Sequence, residues 1–260
     1  MMIPKIIHYC WFGKNPLPKS AKKCIKSWKR FCPDFKIIEW NEDNFDINTC
    51  PEYVIQAYNN KKWAFVTDYV RLKVVYEYGG IYMDTDVELV KNIEFLLEYD
   101  GYFGFERNYV ATGLGFGAIK GLEIVREMMD DYNNLSFINE KGEMNLVPCP
   151  KLNTKIFEKH GLLLNNEKQI IDENILVLPM EYFSPVEYAT HKLHKTKNTV
   201  SIHWYTASWH SQKQKSDRLK RRKNLRKKER REIITIFIKK TIRKILGNKI
   251  YEFLKKNINT

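Results

Sequence analysis

Residues 63–88, WAFVTDYVRLKVVYEYGGIYMDTDVE, constrain the chain more than any other stretch. Apolar residues at helical spacing predict a helix over 62–78. Gly79-Gly80 stops it, because glycine accepts the left-handed conformation that follows a helix C-terminus. Ile81-Tyr82-Met83 then reads as a short buried strand running into Asp84. Side chains at i and i+2 of a strand share a face, so Asp84 and Asp86 are expected side by side at a strand end. A helix, an abrupt stop and a buried strand in succession point to a layered α/β unit.

The rest of the chain alternates in the same way. Residues 3–12, IPKIIHYCWF, read as a first strand closed by Gly13. Ser20 is the expected N-cap of a helix to about Phe31, with Ala21, Cys24, Ile25 and Trp28 at helical spacing. Further strands are expected at 35–40, 102–106, 113–119, 175–178 and 200–205, and helices at 51–59 and 121–132. Residues 41–48 read as a loop, and 88–98 as a loop with a short helix. Residues 133–175 follow no clear pattern, and there is no internal repeat.

Charge divides the chain. The net charge is +13, but residues 211–260 carry 19 Lys and Arg against 4 Asp and Glu, leaving 25 against 27 in residues 1–210. The expectation is a near-neutral domain at 1–210 and a basic tail at 211–260, and a nucleic-acid reading of the whole chain from its charge would miss that asymmetry. Five cysteines without a CxxC pair read as reduced thiols of a cytosolic protein. The start, MMIPKIIHYCWFG, lacks a signal peptide's apolar centre, since Pro4, Lys5 and His8 interrupt it. No run of about 18 apolar residues is present to span a bilayer.

Two carboxylates on one strand face repel each other unless a cation lies between them, and hard oxygen ligands suit Mn²⁺ or Mg²⁺. Such an ion would act as a Lewis acid on a departing phosphate. The triplet Asp84-Thr85-Asp86 alone is commonplace: roughly half of chains this long hold an Asp-x-Asp by chance, and a solvated turn is its plain alternative. The helix, double glycine and apolar strand ahead of it give it weight. Asp68 and Arg71 share a helix face. They read either as a surface ion pair of little worth or as a nucleotide contact. In the latter, Asp68 accepts from a ribose hydroxyl and the forked guanidinium of Arg71 holds a phosphate oxygen.

His8, Tyr9, Trp11 and Phe12 end the first strand, where ligands of open α/β sheets bind. Trp11 is the candidate to stack on a base, with His8 beside it on the donor side; core packing is the alternative for all four. His203, Trp204, Ser208 and Trp209 crowd into HWYTASWH. His203 reads as a third metal ligand or as a structural histidine. Ser208 and Trp209 read as donors to a leaving phosphate. Gly113, Gly115 and Gly117 suit a close backbone approach or a bulge. A Walker loop, HExxH, GxGxxG and a nucleophilic triad are all missing, which argues against a P-loop ATPase, a protease and a Rossmann dehydrogenase.

On IPKIIHYCWFG, WAFVTDYVRLKVVYEYGGIYMDTDVE and HWYTASW the chain resembles glycosyltransferase family 32, the DXD-containing sugar transferases. The resemblance implies a GT-A fold, a single Rossmann-like mixed sheet flanked by helices. It also implies a nucleotide-diphosphate sugar donor, a divalent metal and retention of anomeric configuration. By position, Asp84 and Asp86 look like the catalytic DXD pair, Asp68 and Arg71 like donor-binding residues, Trp11 like the base-stacking ring, and Ser208 and Trp209 like leaving-group contacts. His203 looks like the third metal ligand, a position that varies in the family.

In the tail, residues 213–231 are densely basic. Beyond them, Ile234, Phe237, Ile238, Ile242 and Ile245 fall on one helical face, with Lys239, Lys240, Arg243 and Lys244 largely opposite. That pattern suits an anionic membrane surface, engaged through residues 213–260. The expectation is a retaining hexosyltransferase, peripheral on the inner face of the cell membrane. It would act on a lipid-linked oligosaccharide in surface or capsular polysaccharide synthesis, with a donor of the UDP type and no nucleic-acid partner. The rivals are a basic nucleic-acid-binding protein using 211–231, and an inactive membrane-docked scaffold of the same fold.

Overall fold

The computed structural model describes residues 2–206 and 212–258. In chain order the elements are β1 (Ile6–Cys10), α1 (Lys19–Phe31), β2 (Lys36–Trp40), α2 (Glu52–Asn59), α3 (Trp63–Tyr78), β3 (Gly80–Tyr82), β4 (Val87–Leu89), β5 (Gly101–Glu106), β6 (Tyr109–Ala111), β7 (Phe116–Ala118), α4 (Glu123–Asp130), α5 (Cys149–Lys159), β8 (Gln169–Ile171), β9 (Ile175–Leu178), α6 (Met180–Phe183), β10 (Ser201–His203) and α7 (Gln212–Ile258). The main sheet runs β2-β1-β3-β7-β5-β9-β8, with β6 paired to β5. β1 is parallel to β2 and β3, β7 is antiparallel to β3 and β5, and β9 returns parallel to β5. A second sheet consists of β10 antiparallel to β4. This is the mixed sheet flanked by helices expected of the GT-A fold.

Alternation along the strands builds two cores. Cys10, Tyr82, Phe103, Phe105, Ile175 and Val177 join the side chains of α2, α3, α4 and α5 in one cluster. Ile7, Tyr9, Ile81, Tyr102, Leu176 and Leu178 join Cys24 and Trp28 of α1, Val87 and Leu89 of β4, and Phe183 of α6 in the other. Successive strand residues point to opposite faces, so both faces of the sheet are dry and covered. α3 buries Val66, Tyr69, Val70, Leu72, Val74 and Val75, more than one stripe, as a helix packed on most sides must. It ends at Gly79, whose φ of 66° and N–H bond to Val75 O at 2.8 Å close the last turn.

Several boundaries differ from the sequence expectation. α1 begins at Lys19 behind Pro18, and Ser20 lies inside the helix rather than at its cap. The strand expected at 113–119 is confined to β7, because residues before it form a turn against the end of β3. β4 lies where a loop was expected, paired to β10. The patternless stretch 133–175 contains α5 and β8. All five cysteines are free and buried.

The chain divides into two compact units, Met1–Glu187 with Leu193–Trp209, and Tyr188–Lys192 with His210–Thr260. In the second unit, α7 is one helix of 47 residues. Arg226 donates to the carbonyls of Thr190 and His191 at 2.5 and 2.9 Å, Lys192 pairs with Glu229, and Arg218 lies 5.0 Å from the Tyr188 ring. Ile234, Phe237, Ile238 and Ile245 are exposed. So are Ile233 and Ile236, which extends the apolar surface around the helix beyond the anticipated face. Among the described residues, no helix is long and apolar enough to cross a membrane.

Candidate active site

The site is assembled at the C-terminal end of β3. The two acids do not sit on a strand face. β3 ends at Tyr82, and Asp84-Thr85-Asp86 is a tight turn closed by Val87 N–H donating to Asp84 O at 3.0 Å. The carboxylates converge because the chain reverses, not because it alternates. α1 pins the far side of the turn: Trp28 Nε1 donates to Val87 O at 2.8 Å, and Leu89 N donates to Ser27 Oγ at 2.9 Å.

Asp84 is held from three directions. Its N–H donates to Gly113 O at 3.1 Å, Tyr82 Oη donates to its Oδ1 at 3.0 Å, and Arg71 Nη2 lies 3.4 Å from the same oxygen. Gly113 is required for this approach, since a Cβ there would sit 2.3 Å from Asp84 Oδ2. The same Arg71 Nη2 pairs with Asp68 Oδ1 at 2.9 Å, while Arg71 Nε donates to Thr67 O at 3.0 Å. Burial pushes the Asp68 carboxyl up to about 6, although Arg71 pulls the other way. Arg71 itself resists its burial because Asp84 and Asp68 hold its proton firmly.

Asp86 is clamped by the strand that pairs across from it. β10 sets His203 opposite Val87, and His203 Nε2 comes within 3.1 Å of Asp86 Oδ1. Thr206 donates to Oδ2 from its N–H at 2.8 Å and its hydroxyl at 3.0 Å. Burial disfavours the Asp86 charge, but His203 and Thr206 outweigh that and bring its carboxyl down to about 2. Burial likewise opposes the His203 charge, and Asp86 overrides it, lifting the imidazole to about 9.

One ligand atom each from Asp84, Asp86 and His203 all lie within 4.8 Å of one another. Two carboxylates and an imidazole at that spacing fit a divalent ion of the Mn²⁺ or Mg²⁺ kind. His203 Nδ1, by contrast, is buried without a hydrogen-bond partner.

The other candidates fare differently. His8 is fully buried: its Nδ1 accepts from Trp40 Nε1 at 3.0 Å and its Nε2 lies 2.9 Å from Gly79 O. Burial lowers its pKa to about 4, so it is a neutral core histidine joining β1, β2 and the end of α3, not a donor contact. Arg71 is 5% exposed, with Nε and Nη2 spent on Thr67, Asp68 and Asp84. Those contacts hold the guanidinium between the two carboxylates. Trp11 lies just past β1, half-buried, with its indole N–H on Asn15 O at 2.5 Å. Ser208 and Trp209 lie outside the described residues.

Four contributors escaped the sequence reading. Tyr82 is two residues before Asp84, and its hydroxyl and ring (5.1 Å from the Arg71 guanidinium) were open to inference from that spacing. Cys149, at the start of α5, hydrogen bonds Asp68 and lies 3.6 Å from Thr112 Oγ1. Thr206 and Tyr205 carry no sequence signal of their own.

Residues 18–102 match the family model described as a glycosyltransferase sugar-binding region containing a DXD motif. The chain is similar to inositol phosphoceramide mannosyltransferase 3 of Schizosaccharomyces pombe, 32% identical over 139 residues that cover 48% of this chain and 37% of that protein. It is also similar to lactosylceramide 4-alpha-galactosyltransferase of Mus musculus, 27% identical over 127 residues, 49% of this chain and 33% of that one. The match thus spans little more than a third of each relative. Among solved structures, PaToxG glycosyltransferase superposes with a TM-score of 0.49 at 19% identity, covering 61% of this chain and 69% of that one. The matched stretch contains α3, the turn and both its acids, so residues 18–102 match a glycosyltransferase sugar-binding region, and Asp84-Thr85-Asp86 is the DXD triplet within it, in keeping with the family 32 resemblance of the sequence.

Proposed function

We propose that this chain is a metal-dependent, retaining hexosyltransferase that moves a sugar from a nucleotide diphosphate to a lipid-borne acceptor. The observation that carries the reading is the convergence of Asp84, Asp86 and His203 beside Asp68 and Arg71. A divalent ion held by those three would neutralise charge on the departing diphosphate. Asp68 accepts a ribose hydroxyl, and Trp11 stacks on the base, with UDP the favoured carrier. Arg71 and Tyr82 fix Asp84 so that no reorganisation is needed when the glycosyl bond breaks. Ser208 and Trp209 donate to the leaving phosphate. Catalysis then rests on positioning and charge stabilisation, with the acceptor attacking on the donor's own face.

The lipid-borne acceptor is supported by the relatives' names, which specify inositol phosphoceramide and lactosylceramide. It is supported again by α7, whose exposed Ile233, Ile234, Ile236, Phe237 and Ile238 follow a basic stretch. Cationic charge draws such a helix to anionic headgroups, and the apolar residues find in lipid a use that phosphates alone do not offer. A lipid-linked oligosaccharide of surface or capsular polysaccharide synthesis, handled at the inner face of the membrane, fits both. The test is a screen of nucleotide sugars with Mn²⁺ against the melting temperature of the full chain. A donor at a hundred times its Kd adds about 2.7 kcal/mol to the native state. If no nucleotide sugar raises the transition, the reading is wrong. A salt-sensitive shift of DNA or RNA in its place would favour the nucleic-acid alternative.

A further inference from the structure

The chain just past β10 does something an extended strand does not. His203 and Thr206 are three residues apart, a span of about 10 Å in extended chain. Yet both reach one carboxylate, His203 Nε2 at Asp86 Oδ1 and Thr206 at Oδ2. Trp204 stays in register, its N–H on Asp86 O at 3.0 Å and its indole N–H on Glu88 Oε2 at 2.8 Å. The reversal therefore falls at Tyr205, which has a φ of 49°. A bulky residue in the left-handed region is uncommon, and it persists where its surroundings over-determine it.

Those surroundings are visible. The Tyr205 ring is buried against the His203 imidazole, with centroids 4.2 Å apart. Its hydroxyl meets Ser184 Oγ at 2.5 Å, just past α6, and bonds to Glu106 at the end of β5. Of the two ring nitrogens of His203, Nε2 bonds to Asp86, the carboxylate with which it would share the metal, and Nδ1 has no hydrogen-bond partner. Ligating histidines ordinarily have their second nitrogen held by a carboxylate or carbonyl. Here the phenol packed on the imidazole, its plane tilted by 41°, takes over that orienting task.

We propose that Tyr205 is the positioning residue of the metal site. Its left-handed turn folds residues 203–206 over Asp86, and its anchored ring sets the imidazole plane. Glycine would relieve the backbone and lose the ring, so this position trades conformational ease for an oriented ligand. The inference rests on the metal reading above.

The test measures Mn²⁺ alone binding to the full chain, by the loss of the free-ion electron paramagnetic resonance signal. Tyr205→Phe keeps the ring and should bind within about threefold of the parent. Tyr205→Asn accepts the left-handed backbone but removes the ring, and should bind about 10- to 100-fold more weakly at a temperature well below its own melting transition, where the chain is folded. If Tyr205→Asn does not fold, Tyr205→Leu, which fills the volume without a flat face, replaces it with the same expected loss. Parent-like Mn²⁺ affinity in a folded ring-less variant overturns the proposal and leaves the metal reading standing. A parent chain that does not bind Mn²⁺ overturns both.

Discussion

Replacing Gly113 by alanine should disable the site through one methyl group. The added Cβ would lie 2.3 Å from Asp84 Oδ2, 3.0 Å from Arg71 Nη1 and 3.1 Å from Asp84 Cγ. Ordinary contact begins near 3.4 Å, so the carboxylate must retreat by roughly 1 Å. It has nowhere near to go. Asp84 N is tied to Gly113 O, and its Oδ1 is held by Tyr82 and Arg71. Gly113 is not among the glycines with positive φ, so the substitution adds crowding and no backbone strain. Overpacking of this kind costs about 1–3 kcal/mol of stability. The displacement matters more: a 1 Å error in a catalytic group costs about 100-fold, close to 2.7 kcal/mol in the barrier. The assay pairs donor hydrolysis with Mn²⁺ affinity. If Gly113→Ala keeps both parent-like turnover and parent-like Mn²⁺ affinity, Asp84 is not the fixed ligand described above.

Asp86→Ala should abolish Mn²⁺-stimulated donor hydrolysis while the chain remains folded, and unchanged turnover would remove the metal role. Asp68 supplies a pH signature. Burial holds its folded pKa at about 6, above the ordinary 3.8 of the unfolded chain, so the folded chain holds an extra proton between those limits. Stability from this group is present on the acid side and lost as pH rises through about 6. The stability gap between the parent and Asp68→Asn, from urea unfolding at pH 4 and pH 7, should therefore change by on the order of 2–3 kcal/mol. A gap independent of pH would contradict the burial described for Asp68. Deleting residues 213–260 should reduce binding to anionic vesicles and spare donor hydrolysis; vesicle binding that survives the deletion assigns it elsewhere.

The α/β order and the heart of the site were readable because they rest on local signals. A buried helix, two glycines and three apolar residues place Asp84 and Asp86 without help from distant sequence. What failed was geometry that depends on partners. His8 sits at a strand end like a ligand contact, but Trp40 and Gly79 use both its nitrogens, and nothing in IPKIIHYCWF encodes them. The helix face shared by Asp68 and Arg71 was legible, while the burial of Arg71 against two carboxylates was not. The alternating glycines did signal a close approach, but to Asp84 and, at Gly117, to Tyr102. α5 was invisible because it opens with Cys149-Pro150 and buries Asn153 and Thr154, polar residues that blur the apolar period.

Arg71 is shared between Asp68 and Asp84, and that sharing bears on the order in which reactants arrive. Near neutral pH the empty site sets three acids, Asp68, Asp84 and Asp86, against two positive charges, that of Arg71 and that of His203, which gives up its proton only on ligation. The resulting electronegative basin repels an approaching pyrophosphate at short range. The proposed substrate settles best once a dication has arrived ahead of it. Initial-rate patterns would then show compulsory sequence rather than random entry.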